Sequence, residues 1–357
     1  MSAKEFFAQL PIPIVQSPMV GASGVEMAAA VTWAGGLGSL AAGALAPDAV
    51  EAQTTELRAK VGGPFAVNLF VLRRATPAGE TVAEAMRRLE PWYAELGLPP
   101  PEAPNDFAPD FESQFAALVR SAPPAASFTF DRLSAERTRA LQGAGVIVIG
   151  TATTVAEARS WAEAGADVIC AQGAEAGGHR GHFLAETQAS LVGTMALVPT
   201  IRAAVDLPVI AAGGIMDGRG VAAALALGAC AAQMGTAFLR AEESTISAPW
   251  RRALETAPDD PTRLTRAFTG RHARGVENRF MRELRAMEDE VPAYPVQNRL
   301  TQALRAAAAK AGEAGMLSLW AGQGVKLARD GQAGELVWLW WEEAKTVAAE
   351  LGRRTAI

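Results

Sequence analysis

The chain has three histidines, and His179 stands in ICAQGAEAGGHRGHF, residues 169–183, directly behind two glycines. An imidazole titrates near neutrality and serves as a base or as a hydrogen-bond donor to developing negative charge. The glycines remove side-chain bulk beside it. A lone histidine is more often structural than catalytic, so its place on the fold decides between the two. Arg180 is expected either to steer an anionic substrate or to lie in solvent or in an ion pair. His182 and His272 have weaker claims.

A second chemical signal is PVIAAGGIMDGRG at 208–220, followed by AAQMGTAFL at 231–239. Gly213 and Gly214 permit close backbone approach, while Gly235 and Thr236 offer an amide and a hydroxyl. A single Gly-Gly after a strand is ordinarily a turn. Two such loops at consecutive strand ends, with a helix N-terminus behind one, form a phosphate site that needs no lysine. GAGVIVIG at 143–150 is not a dinucleotide fingerprint, because its glycines precede the strand instead of opening a helix after it. The chain has no GxxxxGK[ST], HExxH or CxxC, so P-loop, zincin and zinc-ribbon chemistry falls away and no metal site is expected.

These residues must be positioned by elements. Short apolar runs separated by helical patterns give eight candidate parallel strands: Ile12–Met19, Gly36–Ala41, Phe65–Phe70, Ala126–Phe130, Val146–Thr151, Val168–Gln172, Pro208–Ala212 and Ala231–Gly235. Alanine-rich helices such as Thr154–Ala164 and Gly218–Leu227 lie between them, ending at Gly165 and Gly228, where left-handed caps are expected. Eight βα units predict an α/β fold of the TIM (β/α)8 type, with a doubly wound open sheet as competitor. His179 then sits above the C-terminal end of the sixth strand, on the face where barrel enzymes build their sites.

Residues 73–117 and 240–311 interrupt the repeat and read as helical and polar, without a convincing strand. They are expected to form a smaller, mostly helical domain over the barrel mouth, the barrel taking 1–72, 118–239 and 312–357. Trp338, Trp340 and Trp341 of the final helix are expected to bury against neighbours, a homodimer interface being the alternative.

Composition bounds the partners. Of the 357 residues 50% are hydrophobic and 20% charged, with a formal charge of −5, a globular balance without the basic excess that nucleic acid requires. Cys170 and Cys230 lie in apolar stretches and read as core thiols of a reducing compartment. The first residues carry no apolar signal core and no window is long enough to span a membrane, so a cytoplasmic protein is expected.

Taken together, QSPMVGAS (16–23), AAAVTWAGGLGSL (28–40), VNLF (67–70), AQGAEAGGHRG (171–181), the 208–239 run and LWAGQG (319–324) resemble class I nitronate monooxygenase, formerly 2-nitropropane dioxygenase, in order from residue 16 to about 330. The resemblance implies an FMN-containing barrel that oxidises alkyl nitronates such as propionate 3-nitronate with O2, giving a carbonyl compound and nitrite. It implies FMN contacts at Asn68, Gln172, Gly177, Gly213, Gly214, Gln233, Met234, Gly235 and Thr236. Pro18 and Met19 would lie near the flavin ring, Gln323 and Gly324 near the cofactor or closing the site, and His179 would be the active-site histidine. One departure stands out: the family commonly reads SFHFG where this chain reads SFTFD, so Thr129 replaces a histidine facing the pocket. Tyr294 and Asn278 are candidates to line the pocket from the helical segment, with packing or capping as the alternative. Two rival functions remain at this point: an NAD(P)H-dependent FMN reductase of quinones or enoyl thioesters on the same barrel, and a flavin- or phosphate-binding protein without turnover.

Overall fold

The structure, a computed structural model, describes residues 2–355. Its strands are β1 (Ile14–Gln16), β2 (Gly38–Ala41), β3 (Phe65–Phe70), β4 (Ala125–Thr129), β5 (Ile147–Ala152), β6 (Val168–Gln172), β7 (Gly178–His179), β8 (Val209–Ala212), β9 (Ala231–Met234), β10 (Thr262–Thr265) and β11 (Ala273–Val276). Eight of them form one parallel sheet in the order β1-β9-β8-β6-β5-β4-β3-β2. A parallel bridge between Val15 and Leu37, with Gln16 N–H donating to Leu37 O at 2.9 Å, joins its two edges. The sheet is thus a closed TIM barrel.

All eight barrel strands fall within a residue or two of the runs read from the sequence, except β1. Pro13 and Pro18 have no N–H to give to a ladder, so β1 keeps only the three residues between them that pair with β9. The helices Val155–Glu163 and Gly218–Ala226 start on Thr154 and Asp217, whose side chains accept from amides of the first turn. Gly165 and Gly228 follow them with φ of 84° and 92°, the left-handed conformation that glycine adopts without a Cβ clash.

The helix Ala3–Ala8 plugs the barrel floor, its Phe6 and Phe7 packing with Val15, Leu37, Ala66, Ile147 and Val168 inside the staves. At the other end of the chain, the helix Ala333–Thr355 packs on Gly218–Ala226 and Val25–Trp33, taking the eighth helix position after a long excursion. Its Trp340 is fully buried and Trp341 half-buried, but Trp338 is 55% exposed. Burial of all three tryptophans was the expectation. Successive helical residues point about 100° apart, so a helix lying on a barrel buries one stripe and leaves a neighbouring position in solvent.

The excursions over the mouth share a second apolar cluster that joins Val82, Leu89 and Trp92 to Phe268, Phe280 and Leu300. The helix Phe111–Ser121 belongs instead to the barrel, where Phe111, Phe115 and Leu118 enter the main core, so the barrel resumes upstream of residue 118. The 240–311 segment is not strand-free: β10 and β11 pair antiparallel, and β11 pairs with β7, setting Ala273 opposite His179. Strands of two to four residues leave no usable period in the sequence, and β7 and β11 pair across some 90 positions.

Trp340→Ala is expected to cost about 3–5 kcal/mol of unfolding free energy, and Trp338→Ala within about 0.5 kcal/mol. Denaturant titration of the two variants checks this; equal losses would contradict the assignment of the buried stripe.

Candidate active site

Inward-facing side chains alternate along each strand, and they change character from floor to mouth. Ala66 gives way to Asn68, Ala125 to Ser127 and Thr129, Ile147 and Ile149 to Thr151, Val168 and Cys170 to Gln172, and Ala231 to Gln233. The polar ends line a cavity of about 370 Å³ beneath the cap, within the range of small-molecule sites. Asn68 Nδ2 donates to the Ser127 carbonyl and hydroxyl at 3.1 and 3.0 Å.

The loop after β6 is held by guanidinium groups. Arg180 donates to the carbonyls of Gly173 (2.7 Å), Gln172 (3.2 Å) and Ser190 (2.8 Å). Arg274 donates to Ala174 O at 3.1 Å, and Arg271 to the carbonyls of Arg180 (3.0 Å) and His182. The Gln172 amide closes the turn from within, giving a hydrogen to His179 O at 3.0 Å and taking one from Gly181 N–H at 2.8 Å. Two carboxylates pin the flanks: Glu157 accepts from Phe183 N–H and Leu184 N–H, and Glu175 from Thr194 N–H and Oγ1–H. None of Arg180, Arg271 and Arg274 forms an ion pair with a carboxylate among the described residues. Burial draws Arg180 and Arg271 down to about 10, so both stay charged at neutral pH.

His179 is thereby set among Phe130, Tyr294 and Trp320, with ring centroids 5.4, 5.5 and 5.6 Å away. Phe130 reaches this position with φ of 85°, a left-handed strain of order 1–3 kcal/mol for a residue with a Cβ. The Arg271 guanidinium lies 4.5 Å over its ring. His179 Nε2 is 2.9 Å from Thr269 Oγ1. The Thr269 hydroxyl donates its hydrogen to Arg271 O, so this contact assigns the proton to Nε2 and leaves Nδ1 as the free acceptor. Burial, reinforced by the charges of Arg271 and Arg305, lowers the His179 pKa to about 3. The ring is neutral, and the positive charge of the site resides on the arginines.

On the strands that follow β6 in the sheet, the ends of β8 and β9 form a cradle. Gly213 and Gly214 take φ of 120° and 72°, and the amides of Gly214, Ile215 and Gly235 have no acceptor among the described residues. Segment 321–324 closes over the cradle, with Gly322 N–H donating to Thr236 Oγ1 at 2.8 Å. The approach is so close that a Cβ on Gly177 would lie 2.5 Å from Gly322 N. No group of three or more His, Cys, Asp or Glu among the described residues is placed to hold a metal ion.

Of the residues singled out from the sequence, the cavity brings together Pro18, Met19, Asn68, Thr129, Gln172, Gly177, His179, Gly213, Gly214, Gln233, Gly235, Thr236, Tyr294 and Gly324. It does not take in Met234, which is buried in the core, or Gln323, whose side chain is exposed and whose amide donates to Glu175 O; neighbouring Gly322 lines the pocket instead. Arg180 is neither in the pocket nor in solvent nor in an ion pair, because its fork is used on backbone carbonyls. Asn278 caps the helix Arg279–Leu284 and donates to Ala314 and Leu317. His182 and His272 share Thr187 outside the pocket. Sequence reasoning missed Phe130, Trp320 and Arg305 of the lining and Thr269 behind the histidine. Phe130 and Trp320 lie in segments the sequence had marked, the fourth strand and LWAGQG; Arg305 and Thr269 carry no motif.

A parallel barrel with an anion cradle on its last two strands and a histidine over its mouth is the layout of a barrel enzyme. The nitronate monooxygenase family profile matches residues 2–340, and the chain belongs to that family. It is 38% identical over 337 residues to a probable nitronate monooxygenase of Staphylococcus haemolyticus, covering 94% of each chain. A probable nitronate monooxygenase of Staphylococcus aureus is 40% identical over 317 residues, 88% of this chain and 89% of that one. Among solved structures, nitroalkane oxidase from Streptomyces ansochromogenes superposes with a TM-score of 0.89 at 42% identity, over 96% of this chain and 99% of that one. FabK from Thermotoga maritima superposes with 0.76 at 29% identity, over 99% and 100%.

A histidine depressed when folded binds its proton more readily when unfolded. Its contribution therefore makes stability fall as pH drops from its ordinary value near 6.5 toward about 3. His179→Gln is expected to flatten this acid limb by up to about 1.4 kcal/mol per pH unit, read from unfolding midpoints at a series of pH values. An unchanged limb would mean that His179 is not held neutral.

Proposed function

We propose that the chain is an FMN-dependent enzyme that oxidises alkyl nitronates with O2 to carbonyl compounds and nitrite, working in the cytoplasm. The observation that carries this reading is the meeting, in one cavity, of unpaired backbone amides with a neutral histidine near guanidinium groups that form no direct ion pair. The amides of Gly214, Ile215 and Gly235 with the Thr236 hydroxyl fit the phosphate of FMN, and the polar strand ends at Asn68, Gln172 and Gln233 fit a polar chain and heteroaromatic edge. Bound FMN would supply the electron acceptor, which no side chain of the pocket provides. No helix among the described residues is long and apolar enough to cross a membrane.

The residues themselves favour an anion that arrives already deprotonated. With a pKa of about 3, His179 is a weak base toward a carbon acid, whereas its unprotonated Nδ1 and its aromatic neighbours bound one side of the cavity. The positive charge of Arg271, beside the histidine, favours a nitronate without a proton having to move. Once an anion lies beside it, His179 is expected to bind a proton more readily, so a neutral nitroalkane is a poorer substrate handled by the same atom. Thr129 contributes a hydroxyl 3.4 Å from that of Thr151 where the resemblance led one to expect an imidazole, and no second histidine lines the cavity among the described residues.

Purified protein is expected to be yellow and, without NADH, to consume O2 and release nitrite from propyl-1-nitronate. His179→Asn is expected to lower turnover of neutral 1-nitropropane by about 10²-fold or more and that of the nitronate far less. If the variant retains FMN and both rates stand unchanged, the histidine assignment is wrong. Activity only with NADH and a quinone would instead indicate a reductase, and a colourless protein a phosphate binder without flavin.

A further inference from the structure

The inner cavity does not open directly to solvent on every side. A second cavity of about 1470 Å³ adjoins it and shares four wall residues with it: Val20, Ala44, Asn298 and Arg305. This outer vestibule is lined by six arginines against four carboxylates, an excess of positive charge in a chain whose formal charge is −5. Anions are thus concentrated at the entrance to the pocket.

Arg305 differs from the other vestibule arginines in facing both spaces. Arg137 pairs with Glu112, and Arg74 lies 3.7 Å from Asp106, whereas Arg305 has no ion pair among the described residues. Its fork is held in place by neutral oxygens: Nη2 donates to Asn298 O and Oδ1, both at 2.9 Å, and Nε to Thr301 O at 3.3 Å. Nη1 has only a marginal contact, 3.5 Å to Ser318 Oγ. A guanidinium oriented on one edge, free on the other and uncompensated is a preorganised receptor for a carboxylate. It lines the inner cavity together with His179 and Tyr294, and its charge is felt at both. The Tyr294 hydroxyl also has no hydrogen-bond partner among the described residues, and burial keeps it protonated, with its pKa raised to about 12.

We propose that Arg305 is a specificity-determining residue: its free Nη1 edge binds a carboxylate at the tail of the substrate, selecting nitronates that carry a second negative charge over those that end in a methyl group. This rests on the reading of the inner cavity as a nitronate site. A purely structural Arg305, tying the turn at Asn298–Thr301, would instead matter equally for every substrate.

The test compares propionate 3-nitronate with propyl-1-nitronate, two three-carbon nitronates that differ in the terminal carboxylate. Steady-state kinetics use flavin-loaded wild type, Arg305→Gln and Arg305→Lys, alongside calorimetric binding of 3-nitropropionate and 1-nitropropane to the same proteins. Losing one charge-assisted hydrogen bond predicts about a 10- to 100-fold fall in kcat/KM for propionate 3-nitronate in Arg305→Gln. The fall should be carried by KM, with propyl-1-nitronate changed less than about threefold and part of the loss recovered by Arg305→Lys. Equal losses on both nitronates, or none on either, would overturn the proposal. If the wild type turns over neither nitronate, the functional reading fails by itself. Calorimetry then still decides Arg305: selective weakening of 3-nitropropionate in Arg305→Gln supports a carboxylate site, and unchanged or equally weakened binding of both compounds removes it.

Discussion

The site depends on carbonyl oxygens of the 172–182 loop being turned toward buried guanidinium groups. A buried cation is costly unless hydrogen bonds replace its lost water. Here Arg180, Arg271 and Arg274 recover that cost on neutral backbone carbonyls and not on carboxylates. Each such bond contributes roughly 1.5–3 kcal/mol, since one partner is charged. Because the acceptors are neutral, the hydrogen bonds leave the charge in place, and Glu157 and Glu175 offset it without a direct ion pair. The loop is fixed and its surroundings stay positive, so one set of contacts gives both the placement of His179 and a potential that favours anions.

The same arrangement makes barrel and cap interdependent. His179 lies in a two-residue strand that pairs with β11, its tautomer is assigned by Thr269, and Arg271, which supports the loop, stands on the same excursion between β10 and β11. The cap therefore does more than cover the mouth: without it the histidine would lose its orientation and its depressed pKa together. The cradle on β8 and β9 is a property of the barrel alone, apart from the closing segment 321–324. Cofactor affinity and histidine chemistry can for that reason be disturbed separately.

The barrel was legible because parallel strands buried on both faces leave short apolar runs, and because the helix ends carry glycines at positions that need positive φ, as at Gly165 and Gly228. The cradle was legible because Gly213–Gly214 and Gly235–Thr236 follow strands directly. His179 stood out through its glycine neighbours. Arg180 was misplaced because a sequence does not say whether a guanidinium will meet an anion or a carbonyl, and here three carbonyls reach it first. Gln323 stands in the turn at 322–325: its backbone N–H closes the segment onto Glu175 O while its side chain points to solvent. Neighbouring Gly322 lines the pocket, a division between backbone and side chain that the motif does not reveal. Thr269 and Arg305 lay beyond reach for another reason: each joins the site from 90 or more residues beyond His179 with no motif around it. Trp320 does lie in LWAGQG, where nothing in the motif says that its ring rather than the Gln323 side chain reaches the pocket.

The central claim is that a nitronate anion, and not a nicotinamide, delivers electrons at this pocket. The most direct measurement is anaerobic mixing of the flavin-loaded protein with propyl-1-nitronate or, separately, with NADH, following the visible absorbance of the flavin. The nitronate is expected to bleach the flavin, and NADH is expected to leave it oxidised. Rapid bleaching by NADH with no response to nitronate would contradict it.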